Sequence, residues 1–156
     1  MTCAAIMTPN PHSVRADHTV GRAADELIAH RYINLPVVDE AGRLVGLFGM
    51  HDLLALLVPR IAMVGDLVPN LRFMSDDLSV LREKYSAFHD TPVSRAMNKE
   101  PIALYADTAI VQAVRLFCHD HMTLPVIEQK TRRLVGIVSY WDVTRAVSSV
   151  GKAEHV

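Results

Sequence analysis

The sequence predicts an α/β (α+β) fold made of two pseudo-symmetric repeats, each a small sheet packed by helices. The first observation is an internal duplication about ninety positions apart. The segment Leu35-Pro36-Val37-Val38-Asp39 returns as Leu124-Pro125-Val126-Ile127-Glu128, and Arg43-Leu44-Val45-Gly46-Leu47 returns as Arg133-Leu134-Val135-Gly136-Ile137. The second is the alternation, in each copy, of helical spacing with short β-branched runs. A unit of roughly 55 residues is near the lower limit for an independent core, so we expect the copies to bury their apolar faces on each other.

Each repeat is expected to begin with a short extended segment, residues 7–14 or 97–104, followed by a helix. The apolar residues of the first helix recur at the spacing of one helical face, and the second copy repeats the pattern. They are Val20, Ala23, Ala24, Leu27 and Ile28 in the first copy and Ile110, Ala113, Val114, Phe117 and Cys118 in the second. Asp17 and Thr19 precede one helix, and Asp107 and Thr108 the other, as candidate caps.

Two short strands are expected after each helix. The first opens with Pro36 or Pro125, because a proline is tolerated where its missing N–H is not needed. The second covers residues 44–48 or 134–138. These runs are continuously apolar, which indicates that both faces of each sheet are covered. Each repeat then closes with a helix that begins at Asp52 or Asp142.

The boundaries expected from this pattern are residues 1–57 for the first repeat, 58–92 for a partly helical linker, 93–150 for the second repeat and 151–156 for a tail. Residues 58–73 contain two prolines and a glycine and are expected to turn repeatedly. Residues 75–77 then cap a helix that carries Leu78, Leu81, Tyr85 and Phe88 on one side. A linker of about 35 residues is unusual in a compact domain, and it is either functional, flexible or simply a cover over exposed core.

Composition excludes several classes of function. The net charge of −1 gives no attraction to nucleic acid or to anionic membranes, and no apolar run reaches the ~18 residues that span a bilayer. The N-terminus lacks the pattern of a signal peptide. Two cysteines make no disulfide framework, so we expect a reduced, cytoplasmic protein. From the charge and the short apolar runs we expect no nucleic-acid partner and no membrane insertion.

The repeated motifs resemble those of a tandem pair of cystathionine-β-synthase (CBS) domains, the arrangement called a Bateman module. The resemblance is carried by the Leu-Pro-Val-Val/Ile-acid strand and by the turn Gly-x-x-(Ser/Thr)-x-x-Asp, which reads Gly136-Ile137-Val138-Ser139-Tyr140-Trp141-Asp142 in the second copy. It covers about 110 of the 156 residues and leaves no room for another domain, which implies a free-standing module.

The resemblance implies clefts between the repeats that bind AMP, ADP, ATP, S-adenosylmethionine or, in some members, cyclic dinucleotides. An ionised carboxylate at the Asp position would accept hydrogen bonds from both ribose hydroxyls, and the following helix N-terminus would face the phosphates. Carried over residue by residue, the site at Asp142 would use Ser139, Arg145, Met7, His12, Tyr32 and Ile33. The site at Asp52 would use Gly49, Met97, Ile102, His121 and Met122.

The two copies differ at the hydroxyl position of the turn. Ser139 has a hydroxyl and Gly49 has none, so we expect the Asp142 site to be the competent one. Members that hold polyphosphates often place a cation just before the Pro-Val strand, where this chain has Ile33 and Asn34, and His121 and Arg145 are the nearest basic candidates. Few cations favour AMP over ATP.

Simpler interpretations of the same residues remain open. Asp52 and Asp142 are well placed to be ordinary helix N-caps, Ser139 to be a turn residue and Tyr32 to be a packing aromatic. The sequence His119-Asp120-His121 beside Cys118 invites a metal hypothesis, but the histidines lack the i, i+3 or i+4 spacing of helical ligands, so no metal site is predicted. No catalytic motif is present, and we expect no enzyme activity.

These observations predict an adenine-nucleotide sensor that needs no cofactor and regulates a partner enzyme, transporter or channel. A homodimer is expected through the helices at residues 53–57 and 143–147. The alternative is a constitutive interaction or dimerisation module with vestigial ligand pockets, and a third hypothesis is an enzyme acting on nucleotides.

Overall fold

The computed structural model of the chain describes residues 1–58, 77–119 and 121–150. The expected turns at residues 59–73, the caps Ser75 and Asp76 and the tail at 151–156 lie outside the described residues. Elements are labelled in chain order: β1 (Thr8–Pro9), β2 (Val14–Arg15), α1 (Val20–His30), β3 (Asn34–Val38), β4 (Leu44–Gly49), α2 (Met50–Ala55), α3 (Leu78–His89), β5 (Leu104–Tyr105), α4 (Ile110–Phe117), β6 (Thr123–Ile127), β7 (Leu134–Ser139) and α5 (Tyr140–Val150).

The strands form two small mixed sheets, one for each repeat, which confirms the predicted α/β fold. In the first sheet the order is β2-β3-β4, with β2 parallel and β4 antiparallel to the central strand. The second sheet repeats this plan as β5-β6-β7 and adds β1 at its edge. Both central pairs carry a register shift at the same place, between Val37 and Val38 and between Val126 and Ile127.

The repeats exchange the segments that precede them. Strand β1, from the start of the chain, pairs antiparallel with β7, with Thr8 opposite Ile137. In the same way Asn98 exchanges two backbone hydrogen bonds of 2.9 Å with Leu47 on β4.

The cores follow this exchange. The buried cluster of the second repeat includes Cys3, and that of the first repeat includes Val93. The two repeats are therefore joined by exchanged segments, each of which completes the core of the other repeat.

A glycine in each sheet makes room for this exchange. A Cβ on Gly136 would lie 2.5 Å from the Sδ atom of Met7, and a Cβ on Gly46 would overlap the Sδ atom of Met97. Each methionine thus packs directly on the sheet of the other repeat, which no other residue type at the glycine position would allow without a shift of its neighbours.

The helix caps differ from the prediction in two places. Thr19 is the N-cap of α1, and its hydroxyl accepts a hydrogen bond from the Arg22 N–H, as expected. Asp17 is not a cap, because its carboxylate pairs with Arg15 at 2.8 Å. The N-cap of α4 is Ala109, which has no side-chain acceptor to offer.

The Thr108 hydroxyl is turned backwards to the Tyr105 N–H. Neither Thr108 nor Asp107 therefore caps α4, and this helix begins without the side-chain hydrogen bond that α1 has.

The prolines of the central strands sit at the third strand position and not at the first. Pro36 faces Leu47 on β4, but both backbone groups of Leu47 bond to Asn98 on its other side, so this is a non-hydrogen-bonded pair. On its remaining side β3 is paired only at Val37 and Val38. The missing N–H of Pro36 therefore breaks no ladder bond, which is why an interior proline is tolerated.

The predicted linker helix exists as α3, capped by the Asp77 side chain through the Ser79 N–H. Tyr85 packs against the core of the first repeat, whereas Leu78 is 57% exposed, so the predicted apolar side is shorter than expected. His89 at the end of α3 lies directly over Gly21 of α1. The helix therefore covers α1, as the simplest of the three interpretations of the linker requires.

The helices proposed as a dimer face are partly buried. Leu53 is 7% exposed and Val143 packs on the core of the second repeat, so neither is available to a partner. Leu54 and Val147 face outward instead. No helix among the described residues is both long and apolar enough to span a bilayer.

Candidate functional site

A cleft of about 380 Å³ opens between the two repeats at the turn from β7 to α5. The first repeat contributes the segment after β1 and the end of α1, and the second contributes the start of β6 and the start of α5. Its lining residues are Thr8, Asn10, Pro11, His12, Arg31, Tyr32, Ile33, Asn34, Leu35, Met122, Thr123, Ile137, Ser139, Tyr140, Trp141, Asp142 and Arg145. Six of the seven residues predicted for the Asp142 site are among them.

Ser139 and Asp142 form a reciprocal capping box at the start of α5. One carboxylate oxygen of Asp142, Oδ2, accepts hydrogen bonds from the Ser139 N–H at 2.8 Å and the Ser139 hydroxyl at 2.7 Å. The Asp142 N–H in turn donates to the Ser139 hydroxyl at 3.4 Å. The residue before the helix is therefore the cap and Asp142 is the third helical residue, which corrects the expectation that the aspartate itself is the N-cap.

The capping box leaves one polar edge of this turn facing the cleft. Both described hydrogen bonds to the Asp142 carboxylate go to Oδ2, so Oδ1 remains for a ligand. The first N–H groups of a helix also have no partner within the helix, and those of Tyr140 and Trp141 belong to residues that line the cleft. A ligand with paired hydroxyls and an anionic group matches these donors and acceptors.

The opposite wall is shaped by the end of α1. Arg31 adopts a left-handed conformation with φ of 54°, and the Tyr32 N–H donates to the Leu27 carbonyl at 3.0 Å. This is a Schellman-type helix end, at which glycine is the usual residue because a left-handed conformation costs other residues about 1–2 kcal/mol. The chain reverses here, and both Arg31 and Tyr32 reach the cleft.

Three aromatic rings cluster at the mouth of the cleft. Tyr32 lies stacked on His30 with ring centroids 5.2 Å apart, and the His12 ring is 4.5 Å from that of His30. Tyr32 is 36% exposed, so part of the ring is free to contact a bound base. The packing interpretation of Tyr32 and its proposed ligand role are compatible, because one face packs while an edge borders the cleft.

Cations in the cleft outnumber anions. Arg31 and Arg145 lie on its lining, and Asp142 supplies the carboxylate. His121, one of the two basic candidates named from the sequence, is not on the lining, whereas Arg31 is. The cleft therefore carries enough positive charge for one phosphate group.

Met7 is the one residue predicted for this site that the cleft does not include. Its Sδ atom packs against Gly136, and the side chain belongs to the core of the second repeat. Pairing of β1 with β7 leaves Met7 partly buried against the core of the second repeat, and the cleft is instead reached by Thr8, Asn10 and Pro11.

The equivalent turn in the first repeat is occupied by a side chain of the same repeat. Asp52 accepts the Gly49 N–H at 2.8 Å, but Gly49 offers no hydroxyl, so only half of a capping box forms. A Cβ on residue 49 would overlap the Oδ1 atom of Asn34 and lie 2.7 Å from the Ile33 carbonyl oxygen. The side chain of Asn34 therefore lies where the serine side chain of the second repeat would be.

Asp52 is also electrostatically different from an exposed carboxylate. Burial raises its pKa above the ordinary value, and the hydrogen bond from Gly49 opposes this only in part. Like Asp142 it is the third residue of its helix and not the N-cap. An ionised Asp52 is thus disfavoured by its surroundings.

The remaining residues predicted for the second site lie in different surroundings. Neither the cleft at Asp142 nor a second cavity, beside Leu104 and His119, is lined by Asp52 or Gly49. Met97 packs on Gly46, Ile102 is 43% exposed, and Met122 lies on the lining of the Asp142 cleft. His121 borders neither cavity.

Sequence reasoning missed Arg31 and Asn10 as cleft residues. Both have positive φ, 54° for Arg31 and 47° for Asn10, which turns the chain toward the cleft. For Arg31 the available signal was its position directly after the last turn of the predicted helix, where a left-handed residue commonly ends the helix. For Asn10 the signal was its place beside Pro11 in a predicted extended segment, where asparagine often adopts a left-handed turn.

Comparison with known proteins identifies both repeats. The model of the family described as "CBS domain" matches residues 3–59 and again residues 93–149. The chain is 28% identical over 149 residues to CBSX2, a chloroplastic CBS domain-containing protein of Arabidopsis thaliana. That match covers 92% of this chain and 62% of CBSX2, so the chain spans less than two thirds of that relative.

Solved structures of CBS pairs share the fold. The crystal structure of CBSX2 in complex with AMP matches with a TM-score of 0.72 and 25% identity, covering 96% of this chain and 98% of that one. The CBS domain pair of MJ0100, solved with 5′-methylthioadenosine and S-adenosyl-L-methionine, matches with a TM-score of 0.66 and 22% identity, covering 96% and 98%.

Proposed function

The chain belongs to the CBS domain family, as a tandem pair of CBS repeats, and we propose that it is a regulatory protein whose cleft at Asp142 binds one adenine nucleotide, with AMP the preferred ligand. The observation that carries this proposal is the cleft itself. It joins the Ser139–Asp142 turn of one repeat to Arg31 and Tyr32 of the other, so a ligand in it contacts both repeats at once.

Each part of AMP has a matching group in the cleft. The Oδ1 atom of Asp142 accepts from the ribose hydroxyls while Oδ2 holds the turn, and the tyrosine ring borders the base. The phosphate is placed between the start of α5 and the guanidinium groups of Arg31 and Arg145. CBSX2 crystallised with AMP is a relative with this fold and a ligand of this class.

Size and charge favour a nucleoside monophosphate. Ligand pockets commonly span about 300–1,000 Å³, and the 380 Å³ of this cleft is near the lower end of that range. Two arginines balance the charge of one phosphate but leave about half of the charge of a triphosphate uncompensated. We therefore place AMP before ADP, ATP and S-adenosylmethionine.

Regulation would follow from the exchanged segments. A ligand that contacts both repeats favours the relative orientation in which its contacts are best, and it shifts that equilibrium by no more than its difference in affinity for the two states. A regulated enzyme, transporter or channel would respond to that orientation. On this proposal the chain catalyses no reaction, needs no cofactor, works in the cytoplasm and has neither nucleic acid nor membrane as a partner.

A second candidate function is a constitutive interaction or dimerisation module. The filled turn at Gly49 favours it, because one of the two pseudo-equivalent pockets has been replaced by a packed asparagine. Trp141 and Val147, 62% and 70% exposed on α5, would supply an apolar contact together with Leu54 of α2. A homodimer through these residues would have twice the 17.3 kDa mass of the chain, which sedimentation equilibrium measures directly.

The nucleotide proposal is tested by a thermal-shift screen against AMP, ADP, ATP, S-adenosylmethionine, NADH and cyclic di-AMP. A ligand at 100 times its Kd stabilises the native state by about 2.7 kcal/mol, a rise of several degrees in Tm for a chain of this length. We expect the largest rise with AMP and its loss in Asp142→Ala. No rise with any compound would refute nucleotide binding and leave the interaction module as the better hypothesis.

A further inference from the structure

Three potential metal ligands converge at the mouth of the cleft, outside the groups assigned to the nucleotide phosphate and ribose. The Nδ1 atom of His12 lies 3.8 Å from the Oε2 atom of Glu26, and the Nε2 atom of His30 lies 3.3 Å from the same oxygen. All three ligand atoms are within 4.8 Å of one another. Two imidazoles and a carboxylate are the donor set of many zinc sites with three protein ligands.

The spacing of these atoms suits a shared metal better than a closed ion pair. Charge-assisted hydrogen bonds between nitrogen and a carboxylate are about 2.7–2.9 Å long, and both distances here are longer. Tetrahedral ligands bonded to zinc at about 2.0–2.1 Å stand about 3.3–3.4 Å from each other. The two distances to Glu26 therefore need shifts of no more than a few tenths of an ångström to reach that geometry.

The fold holds the three side chains in place before any metal arrives. Glu26 and His30 are four residues apart on α1, so their side chains lie on one face of the helix. The stacked Tyr32 ring packs on His30, and the segment between β1 and β2 brings His12 next to Glu26. The planes of the two imidazoles are inclined by 44° and are not stacked on each other, which lets their nitrogen atoms turn toward a common point.

We propose that His12, Glu26 and His30 form a binding site for a divalent first-row transition metal, with Zn²⁺ the best match. Imidazole ligands select zinc and its neighbours over Mg²⁺ and Ca²⁺, which prefer oxygen ligands. The side chains are between 36% and 56% exposed, so the metal reaches them without rearrangement of the core. Three protein ligands leave a fourth position for water or for a ligand oxygen.

The site is tested with untagged protein stripped of metal by a chelator. Zn²⁺ is titrated in competition with a chromogenic zinc indicator, in parallel with Mg²⁺ and Ca²⁺. Glu26→Gln, His12→Ala and His30→Ala each remove one ligand from a solvent-exposed position, and circular dichroism without metal verifies that they fold. Cys118→Ser and His119→Ala are matched controls, because both positions are exposed and could bind zinc adventitiously.

We expect one Zn²⁺ per chain and no competition from Mg²⁺ or Ca²⁺. Each of the three ligand variants should weaken zinc binding by more than the roughly 10–100-fold that loss of an outer-shell partner costs, and both controls should bind as the unaltered chain does. Absence of binding by the unaltered chain, an affinity in the three ligand variants that equals that of the unaltered chain, or loss of binding in either control would overturn the proposal. No nucleotide is present, so the result stands independently of the proposed nucleotide binding.

Discussion

Replacing Gly49 by alanine should destabilise the protein although the backbone there accepts any residue. The φ and ψ angles of Gly49 are −142° and −178°, an extended conformation without a left-handed requirement. The new methyl group would instead overlap the Oδ1 atom of Asn34 and stand 2.7 Å from the Ile33 carbonyl oxygen. That carbonyl already accepts the Met50 N–H at 2.9 Å, so it is not free to move away.

The expected loss is that of an overpacked interior. Inserting a methyl group into a filled site costs about 1–3 kcal/mol. In a chain of 156 residues each kcal/mol lowers Tm by about 2–4 °C, so the melting temperature should fall by about 2–12 °C. Removing the asparagine side chain relieves the larger of the two contacts. In an Asn34→Ala background the same glycine substitution should therefore cost less, with a coupling of about 0.5–3 kcal/mol.

Urea unfolding followed by circular dichroism measures all four proteins of this double-mutant cycle. Asn34→Ala alone is the control, and we expect it to change stability little because no described hydrogen bond depends on its side chain. A Gly49→Ala variant with an unchanged free energy of unfolding would refute the claim that the turn at Gly49 has no space for a further side chain. A loss that is the same with and without the Asn34 side chain would show that the side chain is not what fills it.

Three further predictions concern other parts of the fold. Gly46→Ala should lower the free energy of unfolding more than Gly136→Ala. A Cβ at position 46 would stand 2.9 Å from the Asn98 carbonyl oxygen, whereas the nearest backbone oxygen to a Cβ at position 136 is 3.3 Å away. Urea titration of both variants compares their free energies of unfolding. Ala109→Ser should raise the free energy of unfolding by about 0.5–1 kcal/mol, because it gives α4 the cap that it lacks, and an unchanged midpoint would contradict this. Burial raises the pKa of Asp52, so stability is lost as its carboxyl ionises with rising pH and is recovered as pH falls through the folded pKa toward 3.8. Relative to the unaltered chain, Asp52→Asn should accordingly have a higher free energy of unfolding at pH 7 than at pH 4. Urea unfolding at both pH values measures this difference, and the opposite order would refute the raised pKa.

The repeat pattern predicts most of the fold because it is a local signal reinforced by duplication. The spacing of Val20, Ala23 and Leu27 predicts α1, and the β-branched runs predict the central strands. The exchange of segments was not predictable from this pattern. Strand β1 has two residues, and nothing in the spacing of two residues says which sheet they join. The position of Pro36 within β3 depends on that exchange, since Asn98 takes the bonds of the facing residue.

The candidate site was predictable where it depends on one turn and not where it depends on tertiary contacts. The difference between Ser139 and Gly49 is visible in the sequence, but its cause, the Asn34 side chain, appears only once β3 and β4 are paired. Arg31 reaches the cleft because it adopts a left-handed conformation at the end of α1. The residue type did not indicate this, since glycine is the usual residue at such a position. The approach of His12 to Glu26 likewise depends on the path of the segment between β1 and β2 across α1, which is a tertiary contact.

Of the two pseudo-equivalent turns, only the turn at Asp142 is proposed to bind AMP, and calorimetric titration of AMP into a matched pair of variants distinguishes them. Asp142→Asn and Asp52→Asn each replace a carboxylate by an amide of the same shape, which can still accept the backbone N–H of the turn. We expect one AMP per chain, binding abolished or greatly weakened in Asp142→Asn, and unchanged affinity in Asp52→Asn. Two AMP per chain, or an equal loss of affinity in both variants, would contradict it.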